Sequence, residues 1–171
     1  IPAVYAEKNQ LDPDEARIWL HERIMREVGT LQWYCFDYWS KELDLPITEL
    51  KAEVADRIGY RDSVQEFLRR VRQTGRRIVI VTNSHRGGVD LKFKHTELES
   101  EIDRVISSHD LGVPKEQPLF WEKLQEIEPF DPARTLMVDD SLPVLRSAHQ
   151  YGIAHLLTIA QPDSQQPPRD L

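Results

Sequence analysis

Along residues 1–60 the apolar positions recur at helical spacing and nowhere alternate. Asp12-Pro13-Asp14-Glu15 reads as a helix start, with Asp12 as N-cap, Pro13 in the first turn and Glu15 three residues after the cap. Ala16, Leu20, Ile24 and Val28 follow every four residues, and Gly29 stops the run. Thr30 predicts the cap of a second helix, running through an aromatic cluster to about Leu43. Leu50, Val54 and Ile58 predict a third, closed by Gly59.

After Arg61 the rhythm changes. Asp62 predicts the cap of a helix with Val64, Phe67, Leu68 and Val71 on one side, ended by Gly75. Arg77 to Val81 is a short β-branched run of the kind found in strands buried on both faces. A helix is expected from about Gly87 to His95, a weaker strand at Val105-Ile106, and a helix from Glu116 to Ile127. Thr135 to Val138 predicts a third strand, Pro143 to Tyr151 a helix ended by Gly152, and His155 to Ile159 a fourth strand. From Gln161 the composition is that of a loop or disordered tail. Alternating helices and strands imply βαβ units and a parallel sheet. The expected architecture is therefore α/β, with a helical cap at 1–60 and a parallel-sheet core at 61–171.

Composition narrows the function classes. The chain has 171 residues and a net charge of −7, which argues against a general nucleic-acid or anionic-membrane binder. Cys35 is the single cysteine, so an internal disulfide and any Cys-based zinc cage are excluded. No pair of the six histidines has metal-binding spacing on one helix, which argues against zinc. No apolar run approaches a membrane span and no leader pattern opens the chain, so a cytoplasmic location is expected.

Candidate chemistry lies at the carboxyl ends of the strands, where open parallel sheets bind ligands. Thr82-Asn83-Ser84 follows the first strand, Ser107-Ser108-His109-Asp110 the second, and Asp139-Asp140-Ser141 the third. Two adjacent carboxylates at a strand end repel unless a cation joins them, and magnesium takes such oxygen ligands together with a substrate phosphate. The alternative is that Asp140 or Ser141 caps the next helix. Thr82-Asn83 offers a hydroxyl and backbone amides to an anion, and Lys115 stands before a helix start where its ammonium can face a phosphate. Together these groups suggest phosphoryl chemistry around Mg²⁺.

At this point the residues match a pattern. Ile78-Val-Ile-Val-Thr82-Asn83, Gly112-Val-Pro-Lys115 and Leu136-Met-Val-Asp139-Asp140-Ser141 resemble the second, third and fourth motifs of the haloacid dehalogenase-like (HAD) phosphohydrolases. The stretch Trp33-Tyr-Cys-Phe-Asp-Tyr-Trp39, the run Thr82-Asn83-Ser84-His85, the segment from Tyr5, and Gln161-Pro-Asp-Ser164 look like its bacterial GMP/IMP nucleotidase branch. The resemblance implies that Thr82 and Asn83 hold the phosphoryl group, that Lys115 balances charge, and that Asp139 and Asp140 hold Mg²⁺, with Asp140 the direct ligand. It implies a phosphatase acting through an aspartyl-phosphate on a purine 5′-mononucleotide.

The family's first motif, Asp-x-Asp-Gly-Thr, is missing from these residues. Asp12 and Asp14 have the spacing but open an amphipathic helix. The chain also begins with Ile1 rather than Met. The nucleophile is therefore expected upstream, and the 171 residues alone are expected to be inactive. Trp33, Asp37 and His85 are candidates for substrate specificity, although the aromatic cluster also suits packing and His85 a local loop role. Gly87-Gly88 is expected to ease the turn into the next helix. Three other readings are weaker. A receiver-like signalling domain would carry its acidic pair early. A dehalogenase would need no metal. A non-catalytic module would require that no upstream segment exists.

Overall fold

The computed structural model describes residues 1–163 and 165–170. Ser164, part of the Gln161-to-Ser164 motif, lies outside them. The chain forms two compact units, Ile1–Asp110 and the segment from Leu111 onward. No helix among the described residues is long and apolar enough to cross a membrane.

The first unit begins with helices alone: α1 (Pro2–Asn9), α2 (Pro13–Met25), α3 (Phe36–Leu43) and α4 (Ile47–Ala52), with 3-10 turns at Gln32–Tyr34 and Ala55–Arg57. The Asp12 carboxylate caps α2 as its sequence predicts, accepting from the amides of Asp14 at 2.9 Å and Glu15 at 3.3 Å. Two expectations fail here. Helix α2 ends at Met25, and Val28 lies exposed in the turn beyond it. Thr30 closes that turn, its hydroxyl donating to the Glu27 carbonyl at 2.7 Å, instead of opening the next helix. The cap of α3 is Cys35, whose Sγ accepts from the Tyr38 amide at 3.4 Å.

Leu20, Trp39, Leu43, Leu45 and Ile47 form the buried cluster of these helices, with Tyr5, Ile24, Phe36, Tyr38 and Leu50 packed against it. The aromatic run thus supplies much of the local core. A polar strap sits beside it. Arg23 contacts Glu27 at 2.9 Å and Glu42 at 2.7 Å, and the Tyr38 hydroxyl donates to Glu27 at 2.8 Å. The bonds from Arg23 and Tyr38 hold the Glu27 carboxyl below its ordinary value, and Glu27 in turn pushes the Tyr38 phenol up.

Helix α5 (Val64–Gln73) leads to β1 (Val79–Thr82), then α6 (Arg86–His95), β2 (Arg104–Ser107) and the turn of helix α7 (Ser108–Leu111). Ser63, not Asp62, occupies the N-cap of α5. β1 and β2 pair in parallel, from Val79 opposite Arg104 to Thr82 opposite Ser107. The residues of β1 are half-buried rather than covered on both faces. Gly87 and Gly88 lie inside the first turn of α6. A Cβ on Gly88 would stand 2.7 Å from Ser84 Oγ and 3.1 Å from the Phe36 ring, so the missing side chain is what lets Phe36 approach the helix.

The second unit contains α8 (Pro118–Ile127), β3 (Leu136–Asp139), α9 (Leu142–Tyr151) and β4 (His155–Thr158). β3 and β4 are again parallel, Leu136 opposite His155 and Asp139 opposite Thr158. Helix α9 packs on both strands and on α8. Phe120, Trp121, Leu124, Met137, Val144, Leu145, Ala148 and Ile153 are buried, and the Trp121 indole donates to Ser147 Oγ at 2.8 Å. On the opposite strand face Leu136, Val138 and Leu157 are exposed. Beyond β4 the described residues form neither helix nor strand.

Leu20 is 2% exposed, so Leu20→Ala leaves a cavity and lowers stability by about 2–5 kcal/mol, read from urea unfolding followed by circular dichroism. The Glu27 contribution is fully present above its ordinary value of 4.5 and is lost as pH falls below it through the depressed folded value. Glu27→Gln therefore flattens the loss of stability with acid, measured as the urea midpoint against pH.

Candidate active site

Each βα unit places polar groups just beyond its strands. In the first unit Thr82 ends β1, and its hydroxyl oxygen accepts from the Ser84 amide at 3.1 Å. That small turn brings Asn83 into a buried position. The turn is braced from β2. Ser107 Oγ donates to the Ser84 carbonyl at 2.7 Å, and the Ser107 amide donates to Asp110 Oδ2 at 2.9 Å. Arg86 Nε reaches Asp110 Oδ1 at 2.9 Å. Burial pushes the Asp110 carboxyl up, but the Arg86 and Ser107 bonds outweigh it and the net shift is downward.

His85 is the N-cap of α6, its Nδ1 accepting from the Gly87 amide at 3.3 Å. Its Nε2 faces Asp37 Oδ2 at 3.4 Å. Asp37 is largely exposed. Trp33 is half-buried in a 3-10 turn, and its carbonyl accepts from the Trp39 indole at 3.1 Å. The first unit also gathers Cys35, His85 and His109, whose ligand atoms lie within 4.8 Å of one another. Burial, and then the neighbouring His85, push the His109 imidazole down from its ordinary value. Sequence spacing gave no sign of this trio, because its members come from three separated segments.

In the second unit Lys115 Nζ contacts Asp139 Oδ2 at 2.5 Å, and both side chains are 9% exposed. The other Asp139 oxygen accepts from the Ser141 amide at 2.8 Å. Asp139 is therefore engaged on both oxygens. Asp140 beside it is exposed, with only its backbone carbonyl bonded, to Arg169 at 2.8 Å, among the contacts of the described residues. Ser141 is the N-cap of α9, and neither it nor Asp140 caps that helix through its side chain. Thr82, Asn83, Asp37, His85 and Trp33 belong to the first unit; Lys115, Asp139 and Asp140 belong to the second.

Comparison with known proteins identifies the family. Residues 21–158 match the model of the haloacid dehalogenase-like hydrolases. GMP/IMP nucleotidase YrfG of Escherichia coli (strain K12) is 34% identical over 164 residues, covering 96% of this chain and 74% of that protein. A HAD phosphatase from Thermococcus onnurineus has a TM-score of 0.82 and 25% identity, covering 99% of this chain and 81% of the other. A HAD family enzyme from Bacteroides thetaiotaomicron, solved with magnesium and inorganic phosphate, shares the fold with a TM-score of 0.61 at 15% identity, over 85% of this chain and 81% of that one. These matches place the parallel α/β fold among the hydrolases. The chain belongs to the haloacid dehalogenase-like hydrolase family.

Magnesium is bound by hard oxygen donors, commonly one or two carboxylates with water and phosphate. The Asp140 carboxylate fits that donor set. Asp139, with a lysine and an amide on its oxygens, fits a positioning part beside it.

Removing one partner of a largely buried ion pair leaves the other charge uncompensated. Lys115→Met lowers stability by about 3–5 kcal/mol, and the double variant Lys115→Met/Asp139→Asn recovers part of that loss, both measured by urea unfolding.

Proposed function

We propose that the protein is a magnesium-dependent phosphatase whose substrate is a purine 5′-mononucleotide, GMP or IMP. The observation that carries the reading is the Lys115–Asp139 ion pair at the end of β3, with the uncommitted Asp140 carboxylate beside it. The likeness to GMP/IMP nucleotidase YrfG supports the choice of substrate.

In this reading the carboxylate of a first-motif aspartate attacks phosphorus, and the bond from phosphorus to the 5′ oxygen breaks. The nucleoside leaves with a proton on that oxygen. Water then cleaves the aspartyl-phosphate, which returns the carboxylate and releases inorganic phosphate. The first motif is not among these 171 residues, so they do not turn over phosphate esters by themselves. Thr82 donates its hydroxyl to the phosphoryl group, and the Asn83 amide does the same. The Lys115 ammonium balances charge as it builds on the oxygens. Asp140, with Asp139 behind it, holds the metal. When bound, magnesium supplies neutralisation of phosphate charge. Residues 1–60 act as a cap, and Trp33 and Asp37 from it, with His85 of the loop after β1, select the leaving group. The enzyme acts in the cytoplasm on a small molecule, not on nucleic acid or membrane.

The test is phosphate release by the whole protein from GMP, IMP and p-nitrophenyl phosphate, with magnesium and with chelator. Purine mononucleotides are hydrolysed with magnesium alone, and Asp140→Asn lowers kcat/KM by about 100-fold or more. Hydrolysis of the synthetic ester without GMP or IMP overturns the substrate. No release from any ester overturns the phosphatase.

A further inference from the structure

Cys35, His85 and His109 stand at three ends of secondary structure in the first unit. Cys35 is the N-cap of α3, His85 the N-cap of α6, and His109 lies in α7 just after β2. Fold formation alone brings them together. The rings of His85 and His109 meet edge to face, with centroids 5.1 Å apart and planes at 86°. One ligand atom from each of the three residues falls within 4.8 Å of the others. Each residue is half-buried, so the cluster is enclosed but reachable.

A second observation points to a missing partner. Nε2 of His109 is fully buried and makes no hydrogen bond. The ring bonds the backbone of Asn83, and since Nε2 is unpartnered that bond belongs to Nδ1. The bond favours the protonated nitrogen, so Nδ1 carries the proton and Nε2 a lone pair. A buried lone pair without a donor is costly, and structures normally satisfy it. A histidine tied through one nitrogen to a backbone carbonyl, with the other nitrogen bare, has the arrangement found in metal-bound imidazoles. Coordination through His85 Nδ1 would replace the bond that this nitrogen accepts from the Gly87 amide, leaving Nε2 to face the Asp37 carboxylate at 3.4 Å.

We propose that Cys35, His85 and His109 form a binding site for a borderline-soft divalent metal ion of the zinc class, with the fourth position open to water. One thiolate and two imidazoles suit zinc, whereas magnesium requires oxygen donors. Zinc bonds of about 2.3 Å to sulfur and about 2.0–2.1 Å to nitrogen require the three atoms to draw in by roughly an ångström. Chain ends and a loop can supply that movement. The thiol proton leaves to solvent as the metal binds. The site shares His85 with the substrate-selecting residues proposed above, but its donors and its metal class differ from those of the magnesium site. Occupied, it ties the start of α3 to the loop that follows Thr82 and Asn83, and to the segment after β2.

The test uses the whole protein, freed of metal and reduced, titrated with Co²⁺ as a spectroscopic probe in excess Mg²⁺. One equivalent of Co²⁺ produces a thiolate-to-cobalt charge-transfer band, and Zn²⁺ removes it. Cys35→Ser abolishes the band, and His109→Gln weakens Co²⁺ binding by about 100-fold or more, since even outer partners of metal ligands contribute 10–100-fold. Circular dichroism establishes whether each variant is folded. For a variant that is not, the unaltered protein gives the answer: Zn²⁺ slows alkylation of Cys35 by iodoacetamide at least tenfold. Absence of the band at one equivalent overturns the site, as does equal Co²⁺ affinity in a folded His109→Gln variant, or unchanged alkylation with Zn²⁺.

Discussion

Parallel strands cannot be joined by a tight turn, so each pair needs a crossover that carries the chain back to the same end. Here α6 lies between β1 and β2, and α9 between β3 and β4. β1, β2 and β3 therefore release their carboxyl ends toward the start of a helix. This is why Thr82, Asn83, Ser107, Asp139 and Asp140 are found beside helix starts, where side chains such as Asp139 and Asp110 take up the free backbone amides. The polar groups are not spread along the strands, where burial would penalise them.

The adjacent aspartates show how one position separates two identical groups. Asp139 is the last residue of β3, where the pleat turns it toward Lys115 and the Ser141 amide. Asp140 is one residue on and points the other way, into solvent. A shift of one residue exchanges the faces of a strand. One carboxylate is thereby paired within the protein, and the other faces solvent. The repulsion expected of neighbouring carboxylates is eased by a lysine on one of them.

Much of this order was legible along the chain. Asp12-Pro13 marked the start of α2 because capping is local chemistry, and the β-branched run Ile78 to Val81 marked β1 because such side chains suit a pleated strand. The strand-end groups could be named because they follow the predicted strands directly. What escaped depended on contacts across the fold. Thr30 has the side chain of a helix cap, but the turn at Gly29, with φ of +80°, leaves its hydroxyl nearer the Glu27 carbonyl. Cys35 took the cap although sulfur is a weak acceptor. The exposure of Leu136, Val138 and Leu157 could not be read from strands that look wholly apolar. The meeting of Cys35, His85 and His109 likewise has no trace in local spacing.

The placement of the tryptophans has an optical consequence. Trp39 is buried in the first unit with its indole bonded to the Trp33 carbonyl, and Trp121 is buried in the second with its indole bonded to Ser147. Trp19, by contrast, stacks on Tyr5 at 5.1 Å and is 43% exposed. Each unit thus carries an internal fluorophore in dry, hydrogen-bonded surroundings, while Trp19 emits from the wet surface. Emission from variants that keep only one of these indoles distinguishes melting of the helical region from melting of the β3–β4 unit, and shows whether the two come apart as one cooperative body or in succession.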